Sequence, residues 1–343
     1  MEFVRNAWYV AAWAREVGRH PLARVVLDEP VLLYRKLDGT AVAVSNICPH
    51  RFAPLSMGEL VGDAIQCAYH GLQFDCSGAC AHNPHGPIAG GLQIRAYPMV
   101  ERHDLIWVWM GAPERADGAA IPDFSHLTDS RRKTVGGVSQ VRCNYGLMVD
   151  NLMDLSHAQF LHKQGASTDA FSNVRRSVEQ VGTTVYNNIC YPDASAPAQF
   201  RRALKEPDIR VDFWTDIEWH PVTLMRNNVG VAPAGQPREL GINHIGTHII
   251  TPETPSTCLY FYGSSRNYLQ DDERIDEGWR EWQRVALNEQ DKPMCEAIEA
   301  MQHQVRGLGM KGVLLACDAA AVRVARLTRE LIAAEAAESA GAA

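Results

Sequence analysis

Two short segments of this chain carry sulfur and nitrogen ligands side by side. Cys48–His50 is followed after sixteen residues by Cys67–His70, and each segment offers one thiolate and one imidazole, a mixture that suits iron or zinc. A single zinc ion could take all four side chains. A [2Fe–2S] cluster would instead take both cysteines on one iron and both histidines on the other. The order Cys, His, Cys, His favours the cluster, because zinc fingers more often pair like with like. The candidate ligands are Cys48, His50, Cys67 and His70.

A second set of possible metal ligands lies in residues 150–162, which read DNLMDLSHAQFLH. His157 and His162 with one carboxylate would form the face that non-haem iron(II) oxygenases use, with the remaining positions open for oxygen and substrate. On a regular α-helix these histidines would lie about 140° apart. Both can bind one iron only if the helix ends or bulges near Phe160–His162, so we expect a distortion there. The alternative is a polar helix with two unrelated histidines.

The elements that must position these residues divide the chain in two. The first part shows short alternating strands and a hairpin signal at Asp38-Gly39, which predicts an all-β domain over residues 1–112. The composition of Gly111–Pro122 predicts a linker at residues 113–122. Residues 123–343 mix helices and strands, which predicts an α+β domain with a central antiparallel sheet flanked by helices. Expected elements include strands at Leu92–Tyr97 and Leu105–Trp109 and helices at Leu147–Leu161, Asp271–Val305 and Asp318–Ala336.

Bulk properties exclude several classes of protein. A net charge of −7 over 343 residues argues against a nucleic-acid binder. No stretch approaches the ~18 apolar residues of a membrane-spanning helix, and residues 1–18 lack the pattern of a signal peptide. Nine cysteines, an odd number with uneven spacing, do not form a secreted disulfide framework. These features predict a cytoplasmic protein whose cysteines bind metal or lie in the core.

The motifs resemble those of a known family. Ile47–Pro54 with Cys67–Gly71 resembles the signature of Rieske domains, and Asp154-Leu-x-His157-x-x-x-x-His162 resembles the mononuclear iron motif of Rieske non-haem iron oxygenases. The resemblance implies that this chain is an oxygenase component with one [2Fe–2S] cluster and one iron(II). It implies a proline-containing loop over the cluster, matched here by residues 82–87.

The resemblance also implies roles around the iron. By position, Asp291 matches the family's third ligand, although spacing alone leaves Glu281, Glu289 and Glu296 open on the same expected helix. Pro293 should kink that helix beside Asp291. Asp154 would bridge an iron-binding histidine to a cluster histidine of a neighbouring subunit, in a head-to-tail homotrimer. Asn151 would sit near the iron without binding it. The ordinary alternative for Asp154 and Asn151 is helix capping or surface polarity.

The segments Phe3–Ala12, Thr247–Thr254 and Gly263–Asn267 are similar to those of the aromatic O-demethylases that act on dicamba and vanillate. Asn227, His248 and Trp282 correspond to residues that hold the substrate in the dicamba-demethylating members. The resemblance implies that a methoxylated aromatic acid and O2 yield a phenol and formaldehyde. Electrons would come from NADH through a separate reductase or ferredoxin, since this chain has no Gly-rich dinucleotide motif and should bind neither NAD nor flavin. His220, Asn228, His244 and Trp279 are expected to give this pocket its own surface.

Three alternatives remain open at this point. The same metals could hydroxylate an aromatic ring or a methyl group. A Rieske domain with an accessory domain could be an electron carrier rather than an enzyme. A structural zinc protein is the third alternative.

Overall fold

The computed structural model describes residues 3–88, 90–162, 174–306, 308 and 310–341. The chain forms two compact units: Met1–Ile121 with Thr251–Thr254, and Pro122–Ile250 with Pro255–Ala343. Within the described residues, no helix is both long enough and apolar enough to cross a bilayer.

The first unit is built from three small antiparallel sheets, as expected for an all-β domain. Strands β1 (Trp8–Trp13), β9 (Met99–Arg102) and β10 (Leu105–Trp109) form one sheet in the order β1-β10-β9. The second sheet comprises β2 (Leu22–Val26), β3 (Glu29–Arg35) and β4 (Ala41–Ser45). The third comprises β5 (Glu59–Val61), β6 (Ala64–Gln66), β7 (Gln73–Phe74) and β8 (Cys80–His82).

The strand expected at Leu92–Tyr97 is wrong. This segment makes only isolated bridges, from Gln93 to Ala79 and from Ala96 to Val44. Since successive residues bond to different neighbours, no continuous ladder forms despite the alternating apolar pattern.

Most of the expected linker belongs to the first unit. Short 3₁₀ helices cover Pro113–Arg115 and Gly118–Ala120. The indole of Trp8 donates to the carbonyl of Asp117 at 2.8 Å, and Arg102 donates to the carbonyl of Gly118 at 2.7 Å. These bonds tie the segment to the strands that precede it.

The second unit contains a large antiparallel sheet of seven strands. They are β11 (Lys133–Val141), β12 (Arg175–Val181), β13 (Thr184–Ser195), β14 (Arg210–His220), β15 (Leu224–Pro233), β16 (Ile242–Thr254) and β17 (Thr257–Arg266). Their order is β11-β17-β16-β15-β14-β13-β12. Apart from β11, each strand lies beside its sequence neighbour, so the centre of the sheet is a meander whose alternate residues share one face.

Helices accompany this sheet, which confirms the expected α+β class. They are α1 (Tyr145–Met153), α2 (Ala158–Leu161), α3 (Ala198–Arg201), α4 (Glu273–Gln283), α5 (Lys292–Arg306) and α6 (Ala319–Gly341). A 3₁₀ turn, Leu155–His157, separates α1 from α2. A π-helical segment, Arg284–Asp291, joins α4 to α5 into one continuous helical rod. These two irregular segments carry the second set of candidate metal ligands.

Candidate metal centres and substrate cavity

The two cysteine loops of the first unit have the same backbone hydrogen-bond pattern. In each, the N–H four residues after the cysteine donates to the cysteine carbonyl, and the cysteine N–H donates to the carbonyl five residues on. The fourth residue is Phe52 in one loop and Gly71 in the other, with φ of +59° and +73°. The left-handed turn explains a glycine at the second position. Both loops therefore hold their candidate ligands on the same backbone turn.

The four cluster candidates lie together. Cys48 and Cys67 are 1% and 2% exposed within an apolar core that includes Phe74. Burial raises the pKa of the Cys48 thiol, and the neighbouring Cys67 raises it further. The rings of His50 and His70 lie at the surface side, with centroids 4.5 Å apart. Two buried sulfurs and two outer imidazoles form the asymmetric donor set of a histidine-bound [2Fe–2S] cluster.

One nitrogen of this set lacks a partner. Nδ1 of His70 is buried and accepts or donates no hydrogen bond within the described part of the chain. A buried polar atom left unpaired costs about 1–3 kcal/mol. Bonding to a metal would remove that cost, so the residues present fit a cluster at this position.

The expected covering loop contacts the cluster segment. Nε2 of His85 lies 3.0 Å from the carbonyl oxygen of His70. A Cβ built on Gly71 would lie 3.3 Å from Cγ of Pro84, so the glycine lets this proline approach closely. His85 uses its ring on the backbone, whereas His50 and His70 remain the outer candidate ligands.

The second candidate centre depends on a broken helix. The helix α1 ends at Met153, and Asp154 is extended, with φ −117° and ψ 100°. After the 3₁₀ turn, α2 ends at Leu161, which places His162 at φ −102° and ψ 54°. The expected end near Phe160–His162 is therefore present, and the break at Asp154 is an additional one. Together they bring the rings of His157 and His162 to 5.3 Å between centroids.

The side chain of Asp154 explains the first break. Its carboxylate accepts from the backbone N–H of Ser156 at 2.8 Å and from the Ser156 hydroxyl at 2.9 Å. This is an N-cap, which requires the extended backbone that Asp154 adopts. Within one chain, Asp154 therefore acts as a helix cap, which was the ordinary alternative to a bridging role between subunits.

Asp291 completes a three-residue group. Its Oδ1 lies 3.5 Å from Nε2 of His157 and 3.2 Å from Nε2 of His162. The potential ligand atoms of the three residues all lie within 4.8 Å of one another, and Asp291 is 3% exposed. Nδ2 of Asn151 approaches the same Oδ1 at 3.5 Å. Two imidazoles and one carboxylate on one side are the donor set of a mononuclear iron(II) site.

The other carboxylates on this helical rod are engaged elsewhere. Glu281 and Glu289 both pair with Arg284, and Glu296 pairs with Arg142. The geometry thus separates Asp291 from the three alternatives that spacing left open.

The π-helical segment sets the direction of Asp291. Its last turn is closed by the N–H of Lys292, which donates to the carbonyl of Leu287 in the i→i−5 pattern of a π-helix. Pro293 follows two residues after Asp291 and cannot donate to the carbonyl of Glu289. A kink was expected beside Asp291. The helix has a widened π turn just before Pro293 instead, and α5 continues beyond it.

Backbone and side-chain acceptors orient both histidines. Nδ1 of His157 lies 2.6 Å from the carbonyl oxygen of Asp154, and Nδ1 of His162 lies 2.8 Å from Oε1 of Gln290. Since these oxygens can only accept, each ring carries its proton on Nδ1 and leaves Nε2 free for a metal. Sequence reasoning missed Gln290, for which the only signal was its position next to Asp291.

A cavity of ≈ 230 Å³ opens beside this group. Its floor is one face of the sheet, on which Asn227 pairs with Gly246 and Val229 pairs with His244. His157, His162 and Asp291 line it, together with the α4 tryptophans Trp279 and Trp282. Metal ligands and a mostly apolar pocket thus share one enclosure, as in small-molecule active sites.

All three expected substrate contacts line this cavity: Asn227, His248 and Trp282. Nδ1 of His248 lies 2.6 Å from the hydroxyl of Tyr260, and a Cβ on Gly246 would lie 2.8 Å from Nε2 of His248. The missing side chain at Gly246 therefore makes room for the ring of His248. The amide oxygen of Asn227 accepts from Thr215 at 2.9 Å, which directs the amide NH2 as the donor.

Four residues were expected to give the pocket its own polar and aromatic surface, and two of them do not line it. His244 and Trp279 line the cavity, whereas His220 and Asn228 do not. Asn228 follows Asn227 and so points to the opposite face of β15, where it accepts from Asn243 at 2.9 Å. His220 ends β14, and its Nε2 lies 2.8 Å from Glu218.

Comparison with known proteins agrees with both centres. Residues 7–98 match the Rieske [2Fe-2S] domain, and residues 141–334 match the vanillate O-demethylase oxygenase C-terminal domain. The chain is 48% identical over 333 residues to the oxygenase component of dicamba O-demethylase from Stenotrophomonas maltophilia, covering 96% of this chain and 98% of that one. It is 37% identical to the oxygenase component of chloroacetanilide N-alkylformylase from Rhizorhabdus wittichii, covering 97% of each.

The folds agree as well. The crystal structure of dicamba monooxygenase bound to 3,6 dichlorosalicylic acid superposes with a TM-score of 0.94, covering 98% of this chain and 99% of that one at 48% identity. The structural-zinc and electron-carrier alternatives are therefore excluded. The chain belongs to the Rieske non-haem iron oxygenases, in the group with a vanillate O-demethylase C-terminal domain, and is an oxygenase component with a [2Fe–2S] cluster and a mononuclear iron.

Proposed function

We propose that this oxygenase removes the methyl group of a methoxylated aromatic acid. The reaction consumes the methyl ether, O2, two electrons and two protons, and yields the phenol, formaldehyde and water. The observation that carries the proposal is one cavity that joins His157, His162 and Asp291 to the three expected substrate contacts. Related chains that cover nearly all of this one include dicamba and vanillate O-demethylase oxygenases.

We assign the metals to the residues that fit them. Cys48, Cys67, His50 and His70 would hold the cluster, and the iron would lie between His157, His162 and Asp291. When bound, the cluster supplies electrons singly and the iron supplies oxygen activation next to the substrate. Asn151, close to Asp291, would keep that carboxylate oriented toward the histidines.

The substrate contacts suit an anionic aromatic acid. Burial lowers the pKa of His248 to about 4, so its ring is neutral at working pH and can donate or accept one hydrogen bond. The NH2 of Asn227 can donate to a carboxylate or an ether oxygen, and the Trp282 indole provides an aromatic wall. Among the described residues that line the cavity, exposed Arg176 is the only lysine or arginine. It would attract a carboxylate to the entrance.

Different residues of the cavity have different roles in demethylation. The aromatic wall and the apolar floor exclude water and hold the ring, while Asn227 and His248 fix its polar group. The methoxy carbon is thereby presented toward His157, His162 and Asp291. Once this carbon is hydroxylated, the product is a hemiacetal, which breaks down to the phenol and formaldehyde.

Assembly and electron supply complete the proposal. As an oxygenase component, the chain works with a separate electron donor, which we propose to be an NADH-dependent reductase or a ferredoxin. We further propose a cytoplasmic homotrimer in which Asp154, beside His157, reaches a cluster histidine of the next subunit. A reducing cytoplasm suits nine cysteines that form no disulfide among the described residues.

Formaldehyde release is the decisive test. Iron-replete protein supplied with NADH, a reductase and a panel of methoxybenzoates should release one formaldehyde for each phenol formed. The Asp291→Ala variant should release none while its cluster keeps its absorption spectrum. Hydroxylated products that retain the methoxy group, with no formaldehyde, would support ring or methyl hydroxylation instead.

A further inference from the structure

His244 is a polar residue in an apolar part of the cavity. It lies on β16, is 6% exposed, and lines the cavity with Trp279. Its ring is edge-on to Trp279 at 4.4 Å and stacks at 5.8 Å with Phe200 from α3. Two aromatic rings therefore flank the imidazole.

His244 and His162 lie at the two ends of a run of rings along the cavity. His244 precedes His248 by four residues on the same face of β16, which corresponds to about 13 Å along a strand. On the opposite wall, the rings follow one another from His162 to Trp282 at 6.5 Å, on to Trp279 at 5.8 Å, and then to His244. The wall therefore runs from the iron end of the cavity to a distal end marked by His244.

One ring nitrogen of His244 is unsatisfied. Nδ1 is buried and has no hydrogen-bond partner among the residues that the structure describes. Burial lowers the pKa of His244 to about 3, with smaller effects from His248 and Arg132. The ring is therefore neutral at physiological pH and carries one donor and one acceptor. His244 lines the cavity, so a ligand group bound there can supply the partner that this ring nitrogen lacks.

We propose that His244 determines specificity by hydrogen-bonding a hydroxyl group on the substrate ring, at the end of the substrate away from the methoxy group. A hydroxyl satisfies Nδ1 in either tautomer, because it can donate to a bare nitrogen and accept from a protonated one. A carboxylate could only accept, and Asn227 and His248 already offer it donors nearer the iron. The proposal rests on the proposed O-demethylation and narrows its substrates to hydroxylated methoxybenzoates.

Matched substrates test this assignment. Meta-methoxybenzoate is compared with its hydroxylated derivatives, one for each free ring position, by formaldehyde release and by quenching of tryptophan fluorescence on binding. Wild-type protein should favour at least one derivative over the parent by about tenfold in kcat/KM and in 1/Kd. In His244→Phe this preference should fall below about twofold, because phenylalanine fills the space without a hydrogen bond. His244→Gln should restore part of it.

His220→Gln is the matched control, since His220 lies outside the cavity, and it should keep the wild-type preference. An unchanged preference in His244→Phe, or no derivative favoured by wild-type protein, would overturn the proposal. These outcomes are distinct from failure of O-demethylation, which shows as no formaldehyde from any substrate. In that case the binding ratios still decide the role of His244.

Discussion

At the scale of single residues, each of the two histidines proposed to bind iron has a hydrogen-bond acceptor at Nδ1. His162 is held by Oε1 of Gln290, whereas His157 is held by the backbone carbonyl of Asp154. A side-chain acceptor can be removed by substitution and a backbone carbonyl cannot. Gln290 is therefore the position at which the orientation of the ligands can be tested.

We expect Gln290→Leu to weaken iron binding by about 10–100-fold, because His162 loses the partner that fixes its tautomer. Iron retention after equilibration with a graded ferrous chelator measures this, and the visible absorption of the cluster serves as an internal reference. Gln290→Glu keeps an acceptor and should retain most of the affinity. Equal retention by Gln290→Leu and wild type would show that the bond to His162 is not needed.

Individual ligands were predictable to different degrees. The proposed cluster residues and the two histidines stand in dense motifs, so residue type and spacing made them candidates, while a zinc site and two unrelated histidines stayed open as alternatives. Asp291 needed the family resemblance, because Glu281, Glu289 and Glu296 occupy the same rod and only their arginine partners show that they point away. The His244 ring could be named as a pocket residue, but its unpaired nitrogen depends on packing that no spacing reveals.

At the scale of elements, breaks in regular structure bring together the residues of the proposed iron site. The helix end near Phe160–His162 could be predicted, because two histidines five residues apart cannot share a metal on a regular helix. The break at Asp154 does not follow from periodicity; it follows from a capping bond to Ser156, and capping was only the ordinary alternative for Asp154 in the sequence analysis. The strand wrongly expected at Leu92–Tyr97 likewise shows that periodicity alone is not enough. Apolar residues alternate there, but the backbone forms isolated bridges to two different segments rather than a ladder with one strand.

The strand β16 gives an element-scale prediction. In Gly246→Ala the new Cβ would stand 2.8 Å from Nε2 of His248, closer than real contacts permit, so the imidazole must move. We expect kcat/KM for demethylation to fall by about 10–100-fold, since ångström-scale misplacement of a positioning group costs this much. Steady-state kinetics with the preferred methoxybenzoate measure the change.

Gly278→Ala is the control for this substitution. Gly278 lies in α4 with nothing within 4 Å of a built Cβ, so activity should be unchanged and stability should rise by about 0.5–1 kcal/mol. A Gly246→Ala protein with wild-type kinetics would show that His248 tolerates the displacement.

At the scale of the whole molecule, the order of an all-β part and an α+β part was predictable from strand patterns and motifs. It was harder to predict which face of the large sheet each side chain occupies. His220 and Asn228 were expected in the pocket and lie outside it, because one step along a strand reverses the direction of a side chain. The bonds that tie Asp117 and Gly118 to the first unit could not be predicted from a composition typical of linkers.

Burial of His244 should make stability depend on pH. Its pKa is about 3 in the folded chain and about 6.5 in the unfolded one, so the unfolded chain binds the extra proton between these values. Stability should therefore fall as the pH drops below about 6.5. By pH 5 the loss attributable to His244 should be about 2 kcal/mol. Urea unfolding of wild type and His244→Phe at pH 7 and pH 5 measures it. Curves with equal pH dependence would contradict the assignment.

The π-helical segment Arg284–Asp291 means that the iron site depends on a count of residues as well as on their types. A π turn holds one more residue than the α turn it replaces. This extra residue rotates the end of the segment, so that the carboxylate of Asp291 faces the histidines. Loss of a single codon in this stretch would rotate every later side chain of the rod, while leaving each ligand present in the gene. In this chain, the loss of one residue from Arg284–Asp291 should therefore displace the proposed third ligand as effectively as a substitution of Asp291 removes it.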